Sequence, residues 1–257
     1  MIMSILSLGM KERSALFAKL SQVAYLHPTD AKRISKLLGF TSIEFYDRNG
    51  AQAYRFQNKD DLVIACRGTQ PSEFNDIKAD LQAIPVISET ISRVHSGFKS
   101  EVDELWPMIR EDLDPKVFAK RTLWVTGHSL GGAMATIIAA RCTLDDEMPN
   151  VEELYTYGSP RVGWRKYCSS LPVKHYRWRN NNDIVTTVPL ILMGYTHHGD
   201  SCYINAYGKV RNLTTWQRVK DKFRGMWMGL KKGRIDNFSD HSIQAYIDHL
   251  DAWVEES

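Results

Sequence analysis

An α/β fold with a mostly parallel central sheet flanked by helices follows from three features of this sequence. Short apolar runs bounded by turn residues, such as residues 61–66 (DLVIAC), suit strands buried on both faces. Stretches with apolar residues at three- and four-residue steps alternate with those runs, as helices alternate with parallel strands. A glycine-framed turn at residues 127–131 joins one such strand to an alanine-rich helical stretch.

Residues 13–26 (RSALFAKLSQVAYL) carry the helical spacing. A hairpin follows, IEFYD and AQAYRFQ joined by Arg48-Asn49-Gly50, because Asn-Gly supplies the positive φ angles of a tight turn. Strand 61–66 ends at Arg67-Gly68-Thr69, and residues 72–84 read as an amphipathic helix. Another helix starts at Glu101 to Ile109. Then come strand 121–126, the turn at 127–131, helix 132–143, strands near Leu154 to Tyr157 and His175 to Trp178, and a last helix from His241 to Val254. No internal repeat or low-complexity segment interrupts the chain, and no linker divides it, so one domain over residues 1–257 is expected.

Composition narrows the function classes. Charged residues make up 25% and apolar residues 43%, an ordinary globular balance. A net charge of +3 gives no reason to expect a nucleic-acid partner. Cys66, Cys142, Cys168 and Cys202 form no CxxC pair, which argues against structural zinc; free thiols and one or two disulfides both stay open. The first residues hold a short apolar run with no positive charge ahead of it, unlike a secretory signal. No run of apolar residues is long enough to span a bilayer. These features leave a cytoplasmic, non-classically exported or membrane-peripheral location as expectations.

The chemistry concentrates at Gly127-His128-Ser129-Leu130-Gly131-Gly132. A bare Gly-x-Ser-x-Gly is weak evidence, but here it follows an apolar strand and opens a helix, which is the context of a nucleophile elbow. A serine there meets the positive end of the helix dipole, where a developing anion is favoured. The bland alternative is a glycine turn whose serine merely caps the helix.

GHSLGGA, together with LVIACRGT, VHSGF, LYTYGSPRVG and NNNDIVTTVP in this order, resembles the class 3 (fungal-type) lipase family. The resemblance runs from the first helix to the His241 segment. It implies an α/β-hydrolase fold with a lid-like helix after the oxyanion strand. It also implies a Ser-Asp-His triad and hydrolysis of esters at lipid surfaces without a cofactor. Triacylglycerol lipase or carboxylesterase is the leading expectation. A phospholipase or lipid acyltransferase on the same fold stands behind it, and a non-catalytic binding protein last.

A serine hydroxyl needs an imidazole to take its proton, and the imidazole needs a carboxylate to fix its tautomer. In this fold the chain order is Ser, then acid, then His. Asp183 lies in a polar loop beyond a strand and matches the family aspartate; Asp145, Asp146 and Asp200 are rivals. His241 stands where the chain enters the last helix and matches the family histidine, with His249 second. His95 and His128 fall in family motifs as structural residues. The adjacent His197 and His198 lack the third ligand that a metal site needs. Catalytic Ser129, Asp183 and His241 are therefore the expected set. One oxyanion donor is the N–H of Leu130. The resemblance gives the other to Thr69, whose plain alternative is a turn threonine. No metal and no cofactor are expected.

Phe74, Ile77, Leu81 and Ile84 form one stripe beyond Thr69. The resemblance makes this segment the lid, with Asp80 supporting the Thr69 hydroxyl. Ile77 stands where fungal members often have tryptophan, which puts interfacial activation in doubt. From Arg211 to Arg234 the chain carries eight basic residues against one acid, Asp221. On a helix at about 100° per residue, Trp216, Val219, Phe223, Met226, Trp227 and Leu230 gather on one side. The expected partners are a lipid or ester substrate and, through 216–234, a peripheral lipid or membrane interface, against the alternative that the stripe packs on the core.

Overall fold

The computed structural model describes residues 4–68, 84–114, 118, 121–231 and 239–256. Two helices, α1 (Met10–Val23) and α2 (Pro28–Leu37), precede a hairpin of β1 (Ser42–Arg48) and β2 (Ala51–Gln57). Its turn places Asn49 at φ 50° and Gly50 at φ 89°, as the Asn-Gly pair predicts. Strand β3 (Asp61–Cys66) follows, then a short hairpin of β4 (Pro85–Ile87) and β5 (Arg93–His95), and helix α3 (Ser96–Asp112). The central part runs β6 (Thr122–His128), α4 (Leu130–Thr143), β7 (Val151–Tyr157), β8 (Gly163–Trp164), α5 (Arg165–Ser169) and β9 (Lys174–Asn180). The chain closes with β10 (Tyr195–Thr196), β11 (Asp200–Ile204), α6 (Thr215–Lys231) and α7 (Ile243–Glu255).

Seven strands form the main sheet in the order β1-β2-β3-β6-β7-β9-β11. The first three pair antiparallel, and every pairing from β3 to β11 is parallel. A second sheet of four short strands, β10-β8-β5-β4, is antiparallel.

Burial on both faces explains the near-continuous apolar strands. Along β3 and β6, Leu62, Ile64, Cys66, Leu123 and Val125 join the core under α3 and α4. Their neighbours Val63, Ala65 and Trp124 join the core under α1 and α7, with Phe17, Tyr155, Tyr246 and Leu250. One buried carboxylate opens β3. Asp61 is fully enclosed and accepts from the Ile5 N–H and the Trp124 Nε1–H, both at 2.9 Å. Those two donors compensate the cost of burying its carboxylate.

Parallel pairing brings the carboxyl ends of β3, β6, β7 and β9 to one edge of the sheet, where ligands of open α/β sheets bind. All four cysteines are free thiols. Among the described residues, no helix is long and apolar enough to cross a membrane.

Candidate active site

Strand β6 runs into the sheet edge and reverses within one residue. Ser129 sits at φ 58° and ψ −131°, a conformation that side chains other than glycine rarely adopt. The turn is held on both sides, since Ser129 N–H donates to Tyr157 O and Gly132 N–H donates to Ser129 O, each at 2.9 Å. The flanking glycines are obligatory. A Cβ at Gly127 would lie 2.2 Å from Gly131 O, and one at Gly131 would lie 2.3 Å from Cys66 O. The Ser129 side chain makes no capping bond to α4, so its hydroxyl is not spent on the helix. That removes the reading of Ser129 as a mere cap. The Leu130 N–H, at the head of α4, is among the amides that a helix leaves without a backbone acceptor.

Asp183 leaves β9 two residues beyond a left-handed Asn181 and is completely buried. Its carboxylate collects three kinds of donor. His241 Nδ1–H reaches Oδ1 at 2.9 Å and Oδ2 at 3.0 Å. Val185 N–H reaches Oδ1 at 3.0 Å, and the Tyr246 hydroxyl reaches Oδ2 at 2.6 Å. Because Nδ1 carries the proton that faces the carboxylate, the basic lone pair of His241 belongs to Nε2.

His241 is positioned through its backbone as well as its ring. His128 Nε2–H donates to His241 O at 2.7 Å, and His128 Nδ1 accepts from the Tyr25 hydroxyl at 2.9 Å. Burial, and then the nearby His241 ring 4.6 Å away, hold the His128 pKa well below its ordinary value. A neutral His128 keeps both hydrogen bonds and adds no charge beside His241. Asp240 ties the same segment to β9, accepting from Asn180 Nδ2 at 3.0 Å and from Asn182 N–H at 3.2 Å.

The structure brings Ser129, Leu130, Asp183 and His241 together at one sheet edge. Among the rivals, Asp145 is used locally, accepting from Glu147 N–H, while Asp146 and Asp200 are exposed. His249 lies on α7 against Gly208, away from the Asp183 carboxylate. His95 Nδ1 accepts from Gly97 N–H at the start of α3, a capping role. His197 and His198 point to different partners, Thr186 O and the His175 ring. Thr69, Phe74, Ile77, Asp80 and Leu81 lie outside the described residues, so the lid expectation is not addressed by the structure.

Residues 63–193 match the model of the family described as lipase (class 3). This chain belongs to the class 3 lipase family. A lipase of Rhizomucor miehei is 32% identical over 68% of this chain and 50% of its own length. Toxin TseL of Vibrio cholerae is 30% identical over 59% of this chain and 30% of its own. The matched region therefore spans half or less of each of these two curated relatives. Among solved structures, the Rhizomucor miehei triacylglyceride lipase superposes with a TM-score of 0.67 at 25% identity, covering 77% of this chain and 82% of that one. A triacylglycerol lipase described as having a serine protease triad at its catalytic centre gives a TM-score of 0.65 at 26% identity, over 75% and 79%.

The α/β-hydrolase fold expected of a class 3 lipase is thus present. The family match spans Ser129 and Asp183 and ends before His241, whose place beside Asp183 is given by the 2.9 Å contact. Several supporting residues of this lipase-family site escaped the sequence reading. Gly158, at φ 59°, is the clearest: a Cβ there would lie 2.7 Å from Asp183 Oδ2 and 2.8 Å from the His241 ring. Its motif was visible in the sequence, but its role depends on which side chains cross above it. Tyr246 lies five residues after His241, and Tyr25 lies two residues past the end of α1; neither spacing signals a hydrogen bond.

Proposed function

We propose that this chain is a serine ester hydrolase acting on acyl lipids, as a triacylglycerol lipase or carboxylesterase. Ser129 Oγ attacks the ester carbonyl while His241 Nε2 takes its proton. Asp183 holds the imidazole in the required tautomer and stabilises the imidazolium. The Leu130 and Thr69 N–H groups hold the oxyanion of the tetrahedral intermediate. Collapse of that intermediate returns the proton from His241 to the departing alcohol and leaves an acyl-enzyme. Water then enters, activated by the same imidazole, and releases the fatty acid. Residues 216–234 meet the lipid surface from which the substrate comes.

The carrying observation is the buried His241–Asp183 pair, at 2.9 and 3.0 Å, beside a strained serine whose hydroxyl does not cap its helix. A fluorophosphonate probe followed by a chain-length series of nitrophenyl esters and lipid emulsions tests the reading. Covalent labelling at Ser129 with turnover of esters is expected. Absence of both from the folded wild type would remove it.

A further inference from the structure

Helix α6 is mounted inside out. On an amphipathic helix that serves a core, the apolar stripe faces the protein. Here Trp216 is 65% exposed, Val219 38%, Phe223 65% and Trp227 57%. At about 100° per residue these four positions fall within a sector of roughly 80°. The opposite side is the one that packs. Asp221 is buried, accepting from the Tyr203 hydroxyl at 3.0 Å and the Ala206 N–H at 2.9 Å. Gly225 closes on Asn181 and Asn182, leaving no room for a Cβ, and Lys222 O accepts from Asn182 Nδ2 at 3.3 Å. The polar and small residues hold the helix to the protein, and its aromatic residues face outward.

Charge identifies what those aromatic residues meet. Lys220 and Arg224 are exposed and lie along one border of the stripe; Lys220 stands 5.4 Å over the Trp216 ring and Arg224 5.5 Å over Tyr207. The surrounding segment 211–234 holds eight basic residues and one acid, and that acid is the buried Asp221. Tryptophan and phenylalanine between cations, on a face turned to solvent, match the chemistry of an anionic bilayer interface. Aromatic rings settle at headgroup depth and cations pair with lipid phosphates. A second apolar set comes from the segment that follows the Asp183 loop, where Leu190 is 55%, Ile191 67% and Leu192 96% exposed.

We infer that α6 is a docking helix that seats the protein on anionic bilayers through Trp216, Val219, Phe223 and Trp227, with Lys220 and Arg224 selecting for negative lipid. This rests on the lipid reading of the site, and it sharpens it by naming the surface. Because α6 packs on Asn181 and Asn182, next to the triad aspartate, docking brings the Asp183 loop to the bilayer.

Vesicle sedimentation of the full chain, in its Ser129→Ala form so that the lipid is not consumed, measures the docking. Phosphatidylcholine vesicles are compared with vesicles containing phosphatidylglycerol. Each cation near an anionic surface adds about fivefold to binding, so Lys220→Glu with Arg224→Glu is expected to weaken binding to anionic vesicles by roughly 25-fold or more. Phe223→Ser and Trp216→Ser, each removing one inserted ring, are expected to cost about tenfold or more on the same vesicles. All of these variants, with Ser129 retained, are expected to keep wild-type hydrolysis of a water-soluble nitrophenyl ester, which also shows that they fold. Failure to bind anionic vesicles, or equal binding by the Phe223→Ser and parent proteins, overturns the inference. So does dimerisation in solution that Phe223→Ser abolishes, which assigns the face to a second copy. Vesicle binding that follows the expected pattern while wild type leaves every ester untouched keeps the docking helix and discards the hydrolase reading.

Discussion

Asp183 is fully enclosed, and its negative charge is sustained by donors rather than by water. Tyr246 supplies the shortest of these bonds, 2.6 Å, while its hydroxyl oxygen accepts from the Asn180 N–H at 2.9 Å, which fixes the hydroxyl in place. Burial and the adjacent carboxylate both raise the Tyr246 pKa, so the hydroxyl stays a donor. A hydrogen bond to a charged group contributes about 1.5–3 kcal/mol. Tyr246→Phe is therefore expected to lower ester turnover by roughly tenfold to a hundredfold, mainly in kcat, with the fold kept; unchanged kcat would show that His241 and Val185 suffice to hold Asp183. Ser129→Ala and His241→Ala are each expected to remove several orders of magnitude of turnover, and the double variant to be little worse than either. Steady-state kinetics on a nitrophenyl ester decide this, and additive losses would mean that the two residues do not act as a unit. Gly158→Ala drives a methyl group into the Asp183–His241 pair at a positive φ, so it is expected to lower turnover and stability together, the latter by about 1–3 kcal/mol or more.

At the scale of elements, the strand–turn–helix around Ser129 is the most constrained unit, because Gly127, Gly131 and the Cys66 carbonyl pack backbone to backbone. Gly131→Ala is expected to shift the urea midpoint downward by the equivalent of about 1–3 kcal/mol or more; a wild-type midpoint would show that β3 and α4 can separate at little cost. This unit and strand 61–66 were legible in the sequence, since continuous apolar runs and invariant steric demands leave a direct trace. Helices α2 and α3 were less so. Helix α3 begins five residues before the expected start, and α2 had no sequence forecast; both begin behind a histidine, His95 and His27, whose ring nitrogen accepts from the N–H two residues on. Histidine is not among the usual cap residues, so no start signal was visible. The four-stranded second sheet pairs strands of two or three residues, too short for any period to register. The aromatic stripe of α6 was legible, but not its direction, because an amphipathic pattern gives a face without saying what the face meets. The decision came from Asp221 and Gly225, which hold the other side.

Across the molecule, five histidines besides His249 have their pKa lowered by burial, and that sets an acid limit to stability. Desolvation lowers the pKa of His95 from 6.5 to about 4 and that of His197 from 6.5 to about 2. His128, His175 and His198 shift the same way, burial being the largest cause in each and a neighbouring histidine or arginine adding to it. Each of these rings is engaged as a neutral group: His175 Nε2 meets the Thr156 hydroxyl at 2.8 Å, and its Nδ1 meets His198 Nδ1 at 3.1 Å, a bond that needs one nitrogen without a proton. In the unfolded chain these imidazoles regain an ordinary pKa near 6.5. Below that value the unfolded state binds more protons than the folded one, so stability rises with pH across the window and is lost as pH falls. For His95 the window runs from 6.5 down to about 4. Within it a single histidine contributes a slope of about 1.4 kcal/mol per pH unit. Urea unfolding between pH 7 and pH 4.5 is therefore expected to show stability falling steeply from just below neutrality, with the site geometry intact until the global transition. His95→Asn separates this cause from carboxylate protonation: the amide oxygen can still accept from Gly97 N–H, but the side chain no longer titrates. Its slope is expected to be shallower than wild type by close to one histidine's share, and an identical slope would assign the acid sensitivity to other groups.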